Sequence, residues 1–250
     1  MREVAEGIWE VPILRGFVNV YVVLGESVAV IDAGLPGRAR EVISAVERLG
    51  RPSRDVATIV MTHHHIDHSG ALASLQRETG AIVYASAPEA AILEGTAPVP
   101  KLVSPSRRWS LLLALAERIG PTVPRPTEVH HRLVDGEDIQ AAGLVSVFTP
   151  GHTMGHVSYL HPATGTLFAG DAASLTPRGH LALPAANHDE DPEATLASIH
   201  KLAELDFQVA CFAHGGTLAH NARAAMQRFA DGLRPTSPRQ GSKPSETTKL

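Results

Sequence analysis

The run 61-MTHHHIDHSGAL-72 sets His63, His64, His65, Asp67 and His68 within six consecutive positions. Imidazole nitrogens and carboxylate oxygens are the donors of a hydrolytic metal centre. In an extended segment alternate side chains share a face, so His63 and His65 can grip one ion while His64 turns the other way. Asp67 and His68 follow where the chain bends toward a helix, close enough to serve a second ion beside the first. Three further candidate ligands each stand just after a strand-like run and beside glycine: His152 in 148-FTPGHTMGH-156, Asp171 in 167-LFAGDAAS-174 and His214 in 210-ACFAHGG-216. Layered α/β architectures gather sites at strand ends, where loops deliver side chains from distant sequence into one crevice.

These donors suffice for two divalent ions per chain. His63, His65 and His152 would hold one and Asp67, His68 and His214 the other, with Asp171 shared between them. Ions about 3.5–4 Å apart can be bridged by a hydroxide and by a carboxylate. A set of nitrogen and oxygen donors without thiolate favours zinc, with manganese or iron as alternatives. An expression tag does not account for the histidine run, which is internal and bounded by a strand and a helix, and a solvated loop does not account for the matching contexts downstream. His64 is expected to pack or to support its neighbours. His130 and His131 must face opposite sides of a strand and are expected to be structural. His156 either supports a ligand or packs beneath the loop, and His180 and His188 could line the pocket. His161, His200 and His220 are expected at the surface.

The elements that position these residues follow from periodicity. The stretches 8-IWEVPIL-14, 17-FVNVYVVL-24 and 28-VAVID-32 are rich in β-branched and aromatic residues and read as an opening meander. A helical stripe of Ala39, Val42, Ile43, Val46 and Leu49 ends at Gly50, and strand-like 56-VATIVM-61 then empties into the histidine run. A second helix is expected from Ser69 to Gly80, followed by strand 81-AIVYA-85. A second meander is expected from 129-VHHRLV-134, 137-EDIQAAG-143, 144-LVSVFT-149, 156-HVSYLH-161 and 166-TLFAG-170. Helix 191-DPEATLASIHKLAEL-205, with Asp191 as N-cap and Pro192 in the first turn, strand 207-FQVACFA-213 and helix 219-AHNARAAMQRFADGL-233 complete the series.

Two segments depart from this rhythm. The proline-rich stretch 95–126 reads as an insertion around one amphipathic helix near 107–119. There Trp109, Leu111, Leu112 and Leu113 could offer an apolar wall to a substrate, or could simply pack in the core. The tail 232–250 is polar and is expected to be disordered. The expectation is a single domain over 1–231.

Composition limits the function. The chain has 250 residues, 44% of them hydrophobic, and a formal net charge of −4, which gives no electrostatic footprint for nucleic acid or anionic membrane. A lone Cys211 supplies neither a disulfide framework nor a thiolate zinc motif. The N-terminal residues lack a signal-peptide pattern and no apolar run reaches the length of a membrane span, so a cytoplasmic protein acting on a small molecule is expected.

The motifs 62-THHHIDHSG-70, 150-PGHTMGH-156, 170-GD-171 and 214-HG-215, together with 31-IDAG-34, resemble the metallo-β-lactamase superfamily over roughly residues 7 to 231. The resemblance implies an α/β fold, a four-layer αββα sandwich with a metal crevice along one edge and Asp32 buried at its floor. Asp171 at the shared position is similar to the dinuclear hydrolases, such as hydroxyacylglutathione hydrolase and the acyl-homoserine lactonases. Antibiotic-degrading members commonly carry cysteine or serine there. His152 and His214 are 62 residues apart (214 minus 152), which leaves no room for the inserted domain of the family's nucleases. The helical extension of the glutathione thioesterases is not matched, and 172-AASLTPRGHLAL-183 lacks the tyrosine of the lactonases. The reading that follows is a dinuclear hydrolase of an ester, lactone or thioester, with Asp67 as both ligand and catalytic group. The alternatives are a mononuclear iron oxidoreductase similar to the persulfide dioxygenases, a β-lactamase, or a non-enzymatic binding module.

Overall fold

The computed structural model describes residues 1–100, 124–184 and 189–233. The expected helix near 107–119, residue His188 and the expected tail from 234 onward lie outside the described residues, while Gly232, expected to open the tail, still belongs to the last helix. The first sheet takes its strands in chain order: β1 (Arg2–Ala5), β2 (Ile8–Ile13), β3 (Val18–Leu24), β4 (Val28–Ile31), β5 (Val56–Val60), β6 (Ile82–Ser86) and β7 (His131–Leu133). The first four are antiparallel, joined by tight connections. From β4 onward the pairing is parallel, because each return to the same edge requires a crossover. Helices α1 (Ala39–Arg48), α2 (Ile66–Ser69) and α3 (Leu72–Thr79) make the first two crossovers, and α4 (Ala87–Leu93) follows β6.

The second sheet contains β8 (Asp138–Ile139), β9 (Leu144–Phe148), β10 (Val157–His161), β11 (Thr166–Gly170), β14 (Val209–Phe212) and β15 (Gly216–Leu218), in the order β15-β14-β11-β10-β9-β8. A small separate hairpin pairs β12 (Ser174–Leu175) with β13 (Leu181–Ala182). Helix α5 (Pro192–Glu204) carries the parallel crossover from β11 to β14, and α6 (Ala222–Gly232) closes the described chain.

Side-chain alternation along the strands sorts the core into three slabs. Val20, Val22, Val30, Ile59 and Val83 pack outward against Val42, Ile43 and Val46 of α1 and Leu72 and Leu75 of α3. Tyr21, Val23, Ile31 and Val60 face the other way and meet Val157, Tyr159, Phe168 and Cys211 between the sheets. Leu167, Ala169, Ala210 and Phe212 turn outward from the second sheet onto Ile199 and Leu202 of α5 and Met226 of α6. The result is an αββα sandwich. Among the described residues no helix is long and apolar enough to cross a membrane.

Several elements differ from the sequence expectation. The helix expected from Ser69 starts earlier, at Ile66, and is broken at Gly70, where an added Cβ would lie 2.3 Å from both the Ile66 carbonyl oxygen and Pro36 Cδ. That close approach fixes where α2 ends. The stretch 137–143 pairs only at Asp138–Ile139 and then turns through a 3-10 segment that closes at Gly143 with φ +63°. Strand β1, helix α4, the β12–β13 hairpin and strand β15 were not expected, each being too short to display a period.

Asp191 caps α5 as expected, its Oδ1 accepting from the N–H groups of Glu193 and Ala194 at 3.0 Å each. Replacing it with alanine is expected to cost about 0.5–2 kcal/mol. Urea unfolding would register this as a lower midpoint at unchanged slope, and an unmoved midpoint would show that the cap carries no stability.

Candidate metal centre

Five strand ends deliver the site to one edge of the sandwich. Asp32 stands immediately after β4, and His63, His64 and His65 lie in the loop after β5, with Asp67 and His68 on α2. From the second sheet come His152 in the loop after β9, Asp171 directly after β11 and His214 in the turn between β14 and β15. All seven ligand candidates read from the sequence are thus brought together from both sheets.

Their atoms form two triads with a carboxylate between them. His65 Nδ1 lies 2.9 Å from His63 Nε2 and 3.0 Å from His152 Nε2. Tetrahedral zinc at about 2.0–2.1 Å from each nitrogen would separate such atoms by roughly 3.3 Å, close to what is seen. In the second triad Asp67 Oδ2 lies 3.3 Å from His214 Nε2 and 3.8 Å from His68 Nε2. Asp171 reaches both triads: its Oδ1 is 3.5 Å from His68 Nε2, and its Oδ2 is 3.5 Å from His152 Nε2 and from His214 Nε2. His68 Nε2 and Asp171 Oδ1 are buried without a hydrogen-bond partner among the described residues. Buried polar atoms of this kind are costly to leave unpaired, and a cation between them satisfies both. The residues present therefore fit a metal.

The far side of four of the five rings is anchored, which sets their tautomers. His68 Nδ1 donates to Asp32 Oδ2 at 2.8 Å, and His214 Nδ1 donates to the Phe17 carbonyl at 2.8 Å. His152 Nδ1 lies 3.2 Å from Asp189 Oδ1. Thr62 gives its hydroxyl proton to Asp32 at 2.8 Å and so accepts from His63 Nδ1 at 3.0 Å. In the neutral form of each of these rings Nε2 is left with its lone pair toward the cluster. Asp32 also accepts the Thr62 backbone N–H at 2.8 Å, and holds a left-handed φ of 62°, which aspartate tolerates better than most residues. It is buried at the floor of the site, as the resemblance implied.

His156 is not among the clustered donors. Its Nε2 accepts the Asp171 backbone N–H at 3.1 Å and its Nδ1 bonds Thr149 Oγ1 at 2.8 Å, so it supports the shared carboxylate from beneath. Gly170 makes this contact fit, because a Cβ at its φ of +56° would lie 2.7 Å from His156 Nε2. His64 faces away from the cluster, toward Glu89 at 2.7 Å. Exposed His131 bonds half-buried Glu137, and His130 Nδ1 accepts from the Val83 N–H at 3.2 Å, so both are structural. His180 lies exposed in the β12–β13 hairpin. The sequence reading did not find Glu89, Asp189, Thr62 or the Phe17 carbonyl.

The electrostatics divide the site in two. Burial, with the neighbouring imidazoles, holds His63 and His65 well below the usual range, so both favour the neutral form that ligates. Burial opposes charge on His68 and His214 as well, but Asp171 and Asp67 outweigh it, taking His68 well above its usual value and His214 up to about 10. Burial would raise Asp67, yet His68 and the bond from His214 bring it down to about 2. Asp171 is likewise lowered, against its burial, by His68 and His214. This half of the cluster is a cation-binding field.

Comparison with known proteins agrees with this architecture. The family model described as the metallo-beta-lactamase superfamily matches residues 13–214. The Bacillus subtilis protein YobT, named only as uncharacterized, is 36% identical over 168 residues, and the match covers 66% of this chain and 65% of that protein's length. A hydroxyacylglutathione hydrolase of Pseudomonas aeruginosa is 29% identical over 225 residues, 89% of this chain and 67% of the relative. Among solved structures, a metallo-beta-lactamase family protein from Thermus thermophilus superposes with a TM-score of 0.66 at 27% identity, covering 91% of this chain and 79% of that one.

The buried histidines carry a pH signature in the metal-free protein. His63 and His65 are lowered by burial, as is His156, to about 3. The unfolded chain, with histidines near the ordinary value of about 6.5, therefore takes up more protons below that pH and stability falls with acidification. The stabilising contribution of raised His68 and His214 is complete below about 6.5 and is lost only as pH rises toward their folded values, so it does not offset the acid side. The melting temperature of chelator-treated protein is expected to fall from pH 6.5 to 5. A flat or rising profile would contradict the burial of neutral imidazoles.

Proposed function

The chain belongs to the metallo-β-lactamase superfamily, and on that premise we propose that it is a dinuclear metal-dependent hydrolase cleaving an ester, lactone or thioester bond of a small molecule. The observation that carries this reading is Asp171, whose two oxygens lie 3.5 Å from imidazoles of both triads. His63, His65 and His152 would hold one ion and Asp67, His68 and His214 the other, with Asp171 shared. Zinc suits the nitrogen and oxygen donors best, with manganese or iron as alternatives. Ions bound here supply Lewis acidity and a water acidic enough to attack at neutral pH. No serine or cysteine nucleophile is required, and buried Cys211 lies between the sheets, away from the cluster.

The chain's own residues do the rest. Asp67 is partly exposed at the mouth and ionised at neutral pH, so its carboxylate can accept a hydrogen bond from the attacking water and orient it toward the carbonyl carbon. As the new C–O bond forms and the bond to the leaving oxygen or sulfur breaks, the water's proton passes by way of this carboxylate to the leaving atom. The paired Nδ1 anchors keep the imidazoles from turning during the reaction. A thioester is the bond implied by the name of the Pseudomonas aeruginosa relative. The net charge of −4 supports a small-molecule substrate over nucleic acid or an anionic membrane.

Elemental analysis of untagged protein, paired with a panel of chromogenic esters, lactones and thioesters, tests the reading. About two zinc or manganese ions per chain with turnover abolished by chelation is the expected result; one iron per chain with oxygen uptake and no hydrolysis would overturn it. Asp67→Asn is expected to lower kcat on the order of 10²-fold or more. Unchanged turnover in a fully metal-loaded variant would remove Asp67 from the reaction.

A further inference from the structure

The three imidazoles of the first triad come from loops on different sheets, and something must hold those loops in register. At their bases the loops are joined by the Val157 N–H to the Thr62 carbonyl at 2.9 Å. Nearer the ligands the connection passes through Glu89, in the first turn of α4 and only 1% exposed. Its Oε2 lies 2.7 Å from Nδ1 of His64, the residue between His63 and His65. Its Oε1 accepts from the hydroxyl of Thr153, the residue after His152, at 2.5 Å. One carboxylate thus takes a bond from the neighbour of each ligand group. The Ser86 hydroxyl, at the start of the same helix, donates to the Gly155 carbonyl at 2.6 Å. Gly155 itself admits this contact, since a Cβ there would lie 2.8 Å from Glu89 Cγ, Glu89 Oε1 and Ser86 Oγ.

We propose that Glu89 is a positioning residue that braces the histidine loop against the His152 loop and so sets the spacing of the first metal triad. A carboxylate is expensive to bury, and an apolar side chain would fill the same space at lower cost. What an apolar side chain could not do is fix two loops in direction as well as distance, one through each oxygen. The brace acts on His63, His65 and His152 through their chain neighbours, and none of its hydrogen bonds goes to Asp67, His68 or His214. Its hydrogen bonds therefore bear most directly on one of the two triads.

This inference rests on the metal-centre reading above, and cobalt binding separates the two. Chelator-stripped wild type, Glu89→Ala, Glu89→Gln and Thr153→Val proteins are titrated with cobalt(II) against a competing chelator, following the visible absorption of the bound ion. In Glu89→Ala and Thr153→Val one of the two cobalt affinities is expected to fall about 10–100-fold while the other is unchanged, with the altered site showing a shifted absorption band. Glu89→Gln, which keeps an oxygen for His64 and an N–H for the Thr153 hydroxyl, is expected to restore most of the loss. If Glu89→Ala fails to fold, Thr153→Val, which removes a single hydroxyl at nearly constant volume, decides by the same measure. Wild-type affinities at both sites in the variants, even with a lowered melting temperature, would reduce Glu89 to a structural residue. Wild-type protein that takes up no cobalt would overturn the metal centre itself, and the brace with it.

Discussion

A carboxylate within 3.5 Å of imidazoles from both halves of a sandwich imposes a geometric demand that the rest of the molecule has to meet. Asp171 leaves β11 through Gly170, whose positive φ lets the backbone turn sharply over His156. His156 takes the Asp171 N–H, and Thr149 holds His156 in turn, so the shared carboxylate is fixed from below by the second sheet alone. The first sheet has to arrive at the same point. It does so through β5, whose loop lies against the second sheet where Val157 N–H meets the Thr62 carbonyl and the Tyr159 hydroxyl meets the Met61 carbonyl at 2.6 Å.

Rigid anchoring serves the chemistry because the cluster concentrates groups that repel one another or resist burial. Imidazoles crowd around His65, and three carboxylates surround His68. Such an arrangement is steadied by ties on the far side of four of the five rings. Asp32, Asp189, Thr62 and the Phe17 carbonyl supply those ties from four different segments. The αββα layering gives the ties a firm base, with apolar slabs on both outer faces and a third between the sheets.

The candidate ligand positions were legible in the sequence because their residue types are themselves possible donors, and because they follow strand-like runs. The strands and long helices were legible for a related reason: α1 buries Ala39, Val42, Ile43 and Val46, the stripe its periodicity shows. What supports the ligands was hidden. Glu89 sits in a seven-residue helix and binds partners 25 and 64 residues away, and Asp189 binds one 37 residues away, so no local spacing announces either. The Phe17 carbonyl has no side-chain signature at all. Short pairings such as β15 and the β12–β13 hairpin depend on where larger elements place them, and only the folded chain shows that.

The central claim is that Asp171 is shared by two ions, and an anomalous-scattering crystal structure of the zinc-loaded protein tests it most directly. Two zinc peaks about 3.5–4 Å apart, one among His63, His65 and His152, the other among Asp67, His68 and His214, with Asp171 oxygen on both, is the result predicted. A single peak at full zinc occupancy, or two peaks with Asp171 bound to neither or to only one, would contradict it.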